Sequence, residues 1–165
     1  MELYSDPTRR AEEYAARHGL SILESLGSGI QGIVFSTDAN TAIKSFIYPE
    51  HFERERDVYF RLRDRNIRRV RQFWVPLLRR VADDLRVIEM EIVRPPFVLD
   101  FASAYLDERP PYADDRRIMG EWEAQKRELF EDRWPEVRAM LAAFRAHGIY
   151  LADVKPGNVA FGDES

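Results

Sequence analysis

The sequence contains no cysteine and only three histidines. Without cysteine the chain can form neither disulfide bonds nor thiolate metal sites, and it has no cysteine nucleophile. Three histidines argue against a zinc site built from several imidazoles. There is no apolar stretch long enough to span a membrane, and the polar segment from Met1 to Arg10 is unlike a signal peptide. We therefore expect a cytoplasmic protein without membrane contact.

Neither sign of charge is in large excess. The 25 Lys and Arg residues stand against 29 Asp and Glu residues, which gives a formal net charge of -4. A chain with this balance is not built to bind a polyanion over its whole surface, so nucleic acid is not an expected partner. Hydrophobic residues make up 45% of the 165 residues, enough for the core of one modest domain or two small lobes.

The period of the apolar residues changes along the chain and predicts an α+β fold. Helices are predicted from about Thr8 to His18, His51 to Asp64, Asp114 to Arg133 and Pro135 to His147. Strands are predicted around Ile33 to Phe35, Thr41 to Phe46, Trp74 to Leu78, Leu85 to Val93 and Val159 to Phe161. The break at Arg94-Pro95-Pro96 divides a β-rich part, residues 1–93, from a helical part, residues 94–165.

Three glycines with the spacing G-x-G-x-x-G-x-V lie in and around the turn that precedes the predicted strand from Ile33 to Phe35. They are Gly27, Gly29 and Gly32, followed by Val34. Glycine lets a backbone approach phosphate oxygens and offer its N–H groups to them. A dinucleotide-binding glycine loop should open a helix, whereas this one continues as strand, so the Rossmann interpretation fails on context. An ordinary glycine-rich hairpin is the alternative interpretation.

The next chemical signal is a lysine and an acid that follow the hairpin. Lys44 ends the apolar run Ala42-Ile43 on a strand, which places its ammonium beside any phosphate held by the glycine loop. Glu55 lies on the following helix, on the same side as Tyr59, and can hold the lysine in position. Glu53 is a competing partner, and a solvated helix face is the plain alternative for either acid.

The strongest signal is the segment from His147 to Val159. Asp153, Lys155 and Asn158 have the spacing D-x-K-x-x-N, which puts a base, a phosphate-binding cation and a metal ligand into one short loop. Together with the glycine loop and the Ala-Ile-Lys strand, this order resembles the protein-kinase-like fold family. The resemblance runs from Leu26 to Phe161. Around Pro156-Gly157-Asn158 the sequence resembles small-molecule kinases about as closely as protein kinases.

The resemblance implies a β-rich N-lobe, a reduced helical C-lobe that ends just after the catalytic loop, and a role for each site residue. It implies ATP and Mg²⁺ as ligands. Residues that would contact the nucleotide are Leu26, Gly27, Gly29, Gly32, Val34, Ala42, Lys44, Met90, Glu91 and Val93, with Met90 at the back of the pocket and Glu91 and Val93 offering backbone groups to adenine. Lys44 and Glu55 would form the phosphate-binding ion pair. Asp153 would be the catalytic base, Lys155 the cation near the transferred phosphate, and Asn158 a magnesium ligand.

Two positions depart from the family pattern. Leu151 and Ala152 stand where many protein kinases have His and Arg before the catalytic aspartate. The pattern also requires a strand and a metal-binding Asp-Phe-Gly after Phe161, where this sequence offers only Gly162-Asp163.

The functions left open are therefore of three kinds. One is a phosphotransferase acting on a hydroxyl, such as that of a Ser/Thr protein substrate. Another is a catalytically impaired binding or scaffold module. In the third, a partner chain or a second copy completes the site.

One basic segment stands apart from these motifs. Residues 61–80 hold eight arginines and one acid. It is either a surface for a phosphate-rich or acidic partner or, in the interpretation we favour, a set of arginines that pair with acids elsewhere. We expect the aromatic residues Trp122, Phe130, Trp134 and Phe144 to form core between helices.

Overall fold

The computed structural model describes residues 6–162 and has an α+β fold in which most strand pairs are antiparallel. The helices are α1 (Pro7–His18), α2 (Pro49–Asp64), α3 (Arg116–Phe130) and α4 (Trp134–Arg145). The strands are β1 (Ile22–Ser28), β2 (Gly32–Thr37), β3 (Thr41–Phe46), β4 (Arg69–Val70), β5 (Phe73–Trp74), β6 (Leu78–Ala82), β7 (Val87–Glu91), β8 (Phe97–Val98), β9 (Tyr105–Leu106), β10 (Ile149–Tyr150) and β11 (Val159–Ala160). No helix within residues 6–162 is long and apolar enough to cross a membrane.

Helices α1 and α3 begin at capping aspartates, whereas α2 and α4 begin without a side-chain cap. At α1 the side chain of Asp6 accepts a hydrogen bond of 2.9 Å from the backbone N–H of Thr8. Gly19 ends the same helix in the left-handed region, with φ of 66°, where a residue without Cβ is favoured. At α3 the carboxylate of Asp115 accepts from the N–H groups of Arg117 and Ile118. All four predicted helices are present, with ends that differ by a few residues.

The main sheet has the strand order β1-β2-β3-β7-β6 and two different faces. Side chains alternate along a strand, so Ala42 and Lys44 of β3 share one face and Ile43 points to the other. Ile43 belongs to a cluster that α1 covers with Ala11 and Tyr14. Ala42 belongs to the larger core, which continues through α2 and α4. The face that carries Lys44 is therefore turned toward the rest of the molecule.

Helix α1 is attached to the sheet by a buried polar contact. The Tyr14 hydroxyl donates to Glu89 Oε1 over 2.7 Å, and Arg80 forms a salt bridge with the same oxygen over 2.9 Å. Both Tyr14 and Glu89 are buried. Burial alone would raise the pKa of Glu89, but the hydrogen bonds from Tyr14, Thr41 and Arg80 bring it below its usual value.

We predict that Tyr14→Phe lowers the free energy of unfolding by about 1.5 to 3 kcal/mol at pH 7, because a hydrogen bond to a charged acceptor is lost. The lowered pKa of Glu89 means that its stabilisation is present above the unfolded-state pKa and is lost as the pH falls through the folded-state pKa. The difference between variant and wild type should therefore shrink in acid. Urea titrations at pH 7 and pH 3 measure it. Tyr48→Phe, at a half-exposed ring, is the control and should change little, while a Tyr14→Phe effect independent of pH would contradict this account.

One predicted strand is wrong. The segment from Trp74 to Leu78 is not a strand: β5 ends at Trp74 and β6 begins at Leu78. Pro76 lies between them, and proline has no N–H to give to a strand ladder. Strand β6 escaped prediction because Arg79 and Arg80 interrupt its apolar pattern. The predicted strand from Leu85 to Val93 is shorter in the structure and spans Val87–Glu91.

A second sheet joins segments from both sides of residue 93. Its order is β11-β8-β5-β4, with β5 parallel to β8 and β8 antiparallel to β11. Strand β9 pairs with β10 in a further two-stranded sheet. These strands have two residues each, too few to produce a visible alternation in the sequence. Their pairing nevertheless brings the loop after β8 next to the loop before β11.

The arginine-rich segment is only partly neutralised by acids. Within residues 6–162, four of the eight arginines form ion pairs: Arg61 with Asp107, Arg63 with Asp64, Arg79 with Glu91 and Arg80 with Glu89. Arg69 instead lies over the ring of Trp74. Because Asp64 lies inside the segment, the favoured interpretation, pairing with acids elsewhere, describes three of the eight arginines, namely Arg61, Arg79 and Arg80.

Candidate functional site

A cavity of about 630 Å³ lies between the Lys44 face of the main sheet and the loops of the second sheet. All the residues predicted to contact the nucleotide line it: Leu26, Gly27, Gly29, Gly32, Val34, Ala42, Lys44, Met90, Glu91 and Val93. Glu55, Lys155 and Asn158 line it as well. The motifs are far apart in the sequence, so their meeting in one cavity follows from the fold. Its size suits a small-molecule ligand.

Lys44 and Glu55 form the predicted ion pair. Lys44 Nζ lies 2.7 Å from Glu55 Oε2. Glu55 is 1% exposed, and Glu53, the competing acid, is on the exposed side of α2. Burial raises the pKa of Glu55, and the negative charge of Asp100 adds to the rise, whereas Lys44 lowers it. The pair therefore keeps a cation fixed inside the cavity, with Gln31 as a further acceptor at 3.4 Å.

A second carboxylate, which was not predicted as a site residue, also lies close to Lys44. Asp100 Oδ1 lies 3.7 Å from Lys44 Nζ. Asp100 follows β8 by two residues and lines the same cavity. Its backbone has φ of 73°, in the left-handed region that aspartate tolerates and that occurs often at functional sites. Lys44 is therefore held between two carboxylates.

The position of Asp100 is fixed by the residue that follows it. The Phe101 ring is fully buried and packs edge-on against Tyr59 of α2, at a centroid distance of 5.4 Å, and against Phe144 of α4 at 5.9 Å. The Phe101 backbone N–H donates to Glu55 Oε1 over 3.4 Å. The turn that carries Asp100 is thus anchored to the helix that carries Glu55.

Asp100 and Asn158 meet from two neighbouring strands. Asn158 precedes β11, which is paired with β8, and its Nδ2 donates to Asp100 Oδ2 over 3.2 Å. The backbone N–H of Leu99 also donates to the carbonyl of Asn158. The hydrogen bond keeps both side chains, each of which carries oxygen atoms, at one edge of the cavity beside Lys44.

Asp153 lies beside the cavity rather than in its lining. Its Oδ2 is 3.2 Å from Lys155 Nζ, and Lys155 lines the cavity. Both side chains are substantially exposed, 38% for Asp153 and 57% for Lys155. The predicted base and the predicted phosphate-binding cation are therefore neighbours at the open end of the site.

The loop that carries Asp153 is held by helix α3. The Trp122 indole N–H donates to the carbonyl of Ala152 over 3.1 Å, and Lys126 Nζ donates to the carbonyl of Val154 over 2.7 Å. Trp122 and Lys126 are four residues apart and so share one face of the helix. Burial lowers the pKa of Lys126, which is only 4% exposed. These two donors fix the backbone on both sides of Asp153, next to the departures at Leu151 and Ala152.

The three glycines of the loop differ in whether the surrounding structure has room for a side chain. A Cβ on Gly32 would lie 2.0 Å from the carbonyl oxygen of Ser45, so the pairing of β2 with β3 requires glycine there. A Cβ on Gly27 or Gly29 would meet no atom within 4 Å. Gly32 is therefore explained by the sheet alone, while the other two border open space in the cavity.

The far wall of the cavity is made by the end of β7. Met90 pairs with Ala42 across the sheet, and the hydroxyl of Tyr59 donates to its sulfur over 3.3 Å. Glu91 N–H donates to the carbonyl of Leu77. Val93 makes no backbone hydrogen bond within residues 6–162, so its polar backbone groups are available to a ligand.

The donor set fits magnesium better than zinc. No cluster of three or more His, Cys, Asp and Glu side chains suited to a metal ion occurs in the described part of the chain. Mg²⁺ prefers oxygen ligands and keeps several waters, so it commonly binds one or two protein side chains plus substrate phosphates. Asp100 and Asn158 would be the two protein side chains that bind the ion. Asp163, the substitute considered from the sequence, lies outside the described residues.

Asp100 carries a signal that the sequence could have shown. Leu99-Asp100-Phe101-Ala102 contains an Asp-Phe pair directly after an apolar strand. The resemblance places such a pair after the catalytic-type loop, beyond Phe161, and therefore did not point to Asp100. In this chain it comes about 50 residues before Asp153 along the sequence, and strand pairing brings the two segments together.

No protein-family model matches the chain, and no curated protein has a significantly similar sequence.

Proposed function

We propose that this protein binds MgATP in the 630 Å³ cavity and transfers the γ-phosphate to a hydroxyl acceptor, with chemistry of the protein-kinase-like kind. The observation that carries the proposal is the meeting of Asp100 with Asn158, 3.2 Å apart, beside the buried pair of Lys44 and Glu55. A structural core has no need of two acids and a lysine at one cavity edge, because burying charge is costly. Phosphate and a divalent cation would use all of them.

Each side chain has a defined task in this proposal. Lys44, held by Glu55, binds phosphate oxygens. The glycine loop, where Gly27 and Gly29 border open space, lets the phosphates come close to the backbone. Val93 offers backbone groups to the edge of adenine, whose faces pack against Val34 and Ala42.

The remaining polar residues act at the transferred phosphate. Asp153 accepts the proton of the acceptor hydroxyl as that oxygen attacks phosphorus. Lys155 binds the oxygens of the transferred group, on which negative charge is spread in the transition state. Asp100 and Asn158 would hold Mg²⁺, which neutralises phosphate charge when bound. Trp122 and Lys126 keep the Asp153 loop in place.

The case for a catalytically impaired binding module rested on a missing metal-binding carboxylate. Asp100 supplies a carboxylate to the site from this chain, and this favours the phosphotransferase over an impaired binding module. A site that a partner chain completes stays an alternative. The identity of the acceptor, including a Ser/Thr protein substrate, stays a prediction.

The test is a titration with ATP, with and without Mg²⁺, followed by an assay of γ-phosphate transfer on the same sample. Binding that depends on Mg²⁺ together with transfer supports the proposal. Binding without transfer to any hydroxyl acceptor, water included, would favour a nucleotide-binding module. A complete absence of ATP binding would refute the proposed function.

We predict that Ala42→Trp abolishes measurable ATP binding. Ala42 is 7% exposed and lies on the cavity face of β3 opposite Met90, so an indole at this position would fill the space assigned to adenine. Calorimetric titration with MgATP measures the loss, and circular dichroism checks the fold. Leu23→Trp, at a side chain that is 64% exposed and outside the cavity, is the matched control. A folded Ala42→Trp variant with unchanged affinity would disprove the adenine position.

A further inference from the structure

A second cavity, of about 460 Å³, lies in the helical part of the molecule. Six of its side chains define what we call the indole pocket: Tyr112, Trp122, Trp134, Arg138, Arg145 and Tyr150. It shares no lining residue with the cavity that contains Lys44. The nucleotide proposal therefore does not account for it, although its volume is in the range of small-molecule sites.

The charge around the indole pocket is positive in a protein of net negative charge. Arg109, Arg138 and Arg145 line it against one acid, Glu123, and Arg109 forms an ion pair with Asp114 at 3.2 Å. Arg138 is 3.9 Å from Glu123, which Arg127 also contacts at 3.4 Å. Arg145 has no ion pair within the described residues. Guanidinium groups in such a position bind carboxylate or phosphate through paired hydrogen bonds.

The walls of the pocket are aromatic. The rings of Trp122 and Trp134 meet edge to face with centroids 6.2 Å apart, and Tyr112 and Tyr150 are half-buried beside them. Trp134 is 5% exposed, and its indole N–H has no hydrogen-bond partner among residues 6–162. A buried donor without a partner is costly and uncommon, and an acceptor atom on a bound molecule would remove that cost.

The indole pocket adjoins the loop of Asp153. Tyr150 and Leu151 line it, and the Trp122 indole that forms part of its wall donates to the carbonyl of Ala152. Burial raises the pKa of Tyr112, which also lines the pocket, and the charge of Asp153 adds a smaller contribution.

We propose that the indole pocket binds a small planar anion, an aromatic molecule that carries a carboxylate or a phosphate. Its ring packs against Trp122 and Trp134, and its anionic group pairs with Arg138 and Arg145. This site is independent of ATP binding, and a molecule in it contacts the side chain that positions the loop before Asp153.

The three tryptophans of the chain give a direct test. Each indole N–H produces its own peak in a ¹H–¹⁵N correlation spectrum, and Trp74 lies outside the indole pocket as an internal control. We expect titration with 2-naphthoate, in the absence of ATP, to shift the Trp122 and Trp134 peaks and leave the Trp74 peak in place. The uncharged analogue 2-naphthalenemethanol should bind at least about tenfold more weakly, as expected when a charged hydrogen bond is lost.

The arginines are tested in the same experiment. The double variant Arg138→Gln/Arg145→Gln should weaken 2-naphthoate binding at least about tenfold. Arg117→Gln, at an arginine on α3 that is 78% exposed and outside the pocket, should not. Equal affinity for the acid and the alcohol in the wild-type protein would overturn the proposal, and so would shifts confined to Trp74. Because ATP is absent, these results do not depend on whether the nucleotide proposal holds.

Discussion

Asp100→Asn is expected to lower the rate of γ-phosphate transfer by about 100-fold or more. The change removes one negative charge from the pair of side chains that would hold Mg²⁺, and a bound metal ion supplies several kcal/mol of transition-state stabilisation. Asparagine retains an oxygen that can accept the hydrogen bond from Asn158 Nδ2, so the turn should keep its shape. The measurement is transfer from γ-labelled ATP at saturating Mg²⁺.

The control for this change is Asp83→Asn, at an exposed carboxylate that pairs with Arg56 outside the cavity. Asp83→Asn should transfer phosphate at the wild-type rate. ATP affinity measured without Mg²⁺ should be unchanged or slightly higher in Asp100→Asn, because one carboxylate near the phosphates has lost its charge. Wild-type transfer by Asp100→Asn would show that the metal is not held at Asp100.

Asp153→Asn is expected to remove transfer while leaving MgATP affinity within about twofold of wild type. A general base contributes roughly 10²- to 10⁴-fold to the rate, and Asp153 does not line the nucleotide cavity. In the wild-type protein Lys155 lies 3.2 Å from the Asp153 carboxylate, and the amide oxygen of asparagine can still accept a hydrogen bond from it. Single-turnover transfer and calorimetry on the same variant separate the two effects.

Asp132→Asn is the matched control for that experiment, since Asp132 is an exposed residue beyond the end of α3. Brisk transfer by Asp153→Asn would exclude Asp153 as the base. A parallel loss of ATP affinity would instead assign Asp153 to nucleotide binding.

Local patterns predicted the parts of the fold that local interactions determine. The ends of α1 follow from Asp6 and Gly19, and the glycine hairpin and the strand with Lys44 follow from turn residues and alternation. The contact of Lys44 with Glu55 was also predicted, because a strand face and a helix face define which side chains can meet. These predictions needed only residues close together in the sequence.

The parts that were missed depend on pairing between distant segments. Strands of two residues, such as β8 and β11, leave no periodic signal, yet their pairing brings Asp100 to Asn158. The Asp-Phe pair was visible in the sequence, but nothing local shows that a segment preceding the Asp153 loop returns to it. The roles of Trp122 and Lys126 were hidden for the same reason. Trp122 was predicted to be core, and it packs against the core while also donating to the loop.

The central claim is that a divalent cation binds with ATP between Asp100 and Asn158, and paramagnetic broadening by Mn²⁺ tests it most directly. Mn²⁺ accepts the same oxygen ligands as Mg²⁺ and broadens nearby NMR signals. With ATP and substoichiometric Mn²⁺, we predict loss of the signals from the Asn158 side-chain amide and the Phe101 backbone N–H, while the Leu129 N–H on α3 stays sharp. Sharp Asn158 and Phe101 signals in the presence of ATP and Mn²⁺ would contradict the claim.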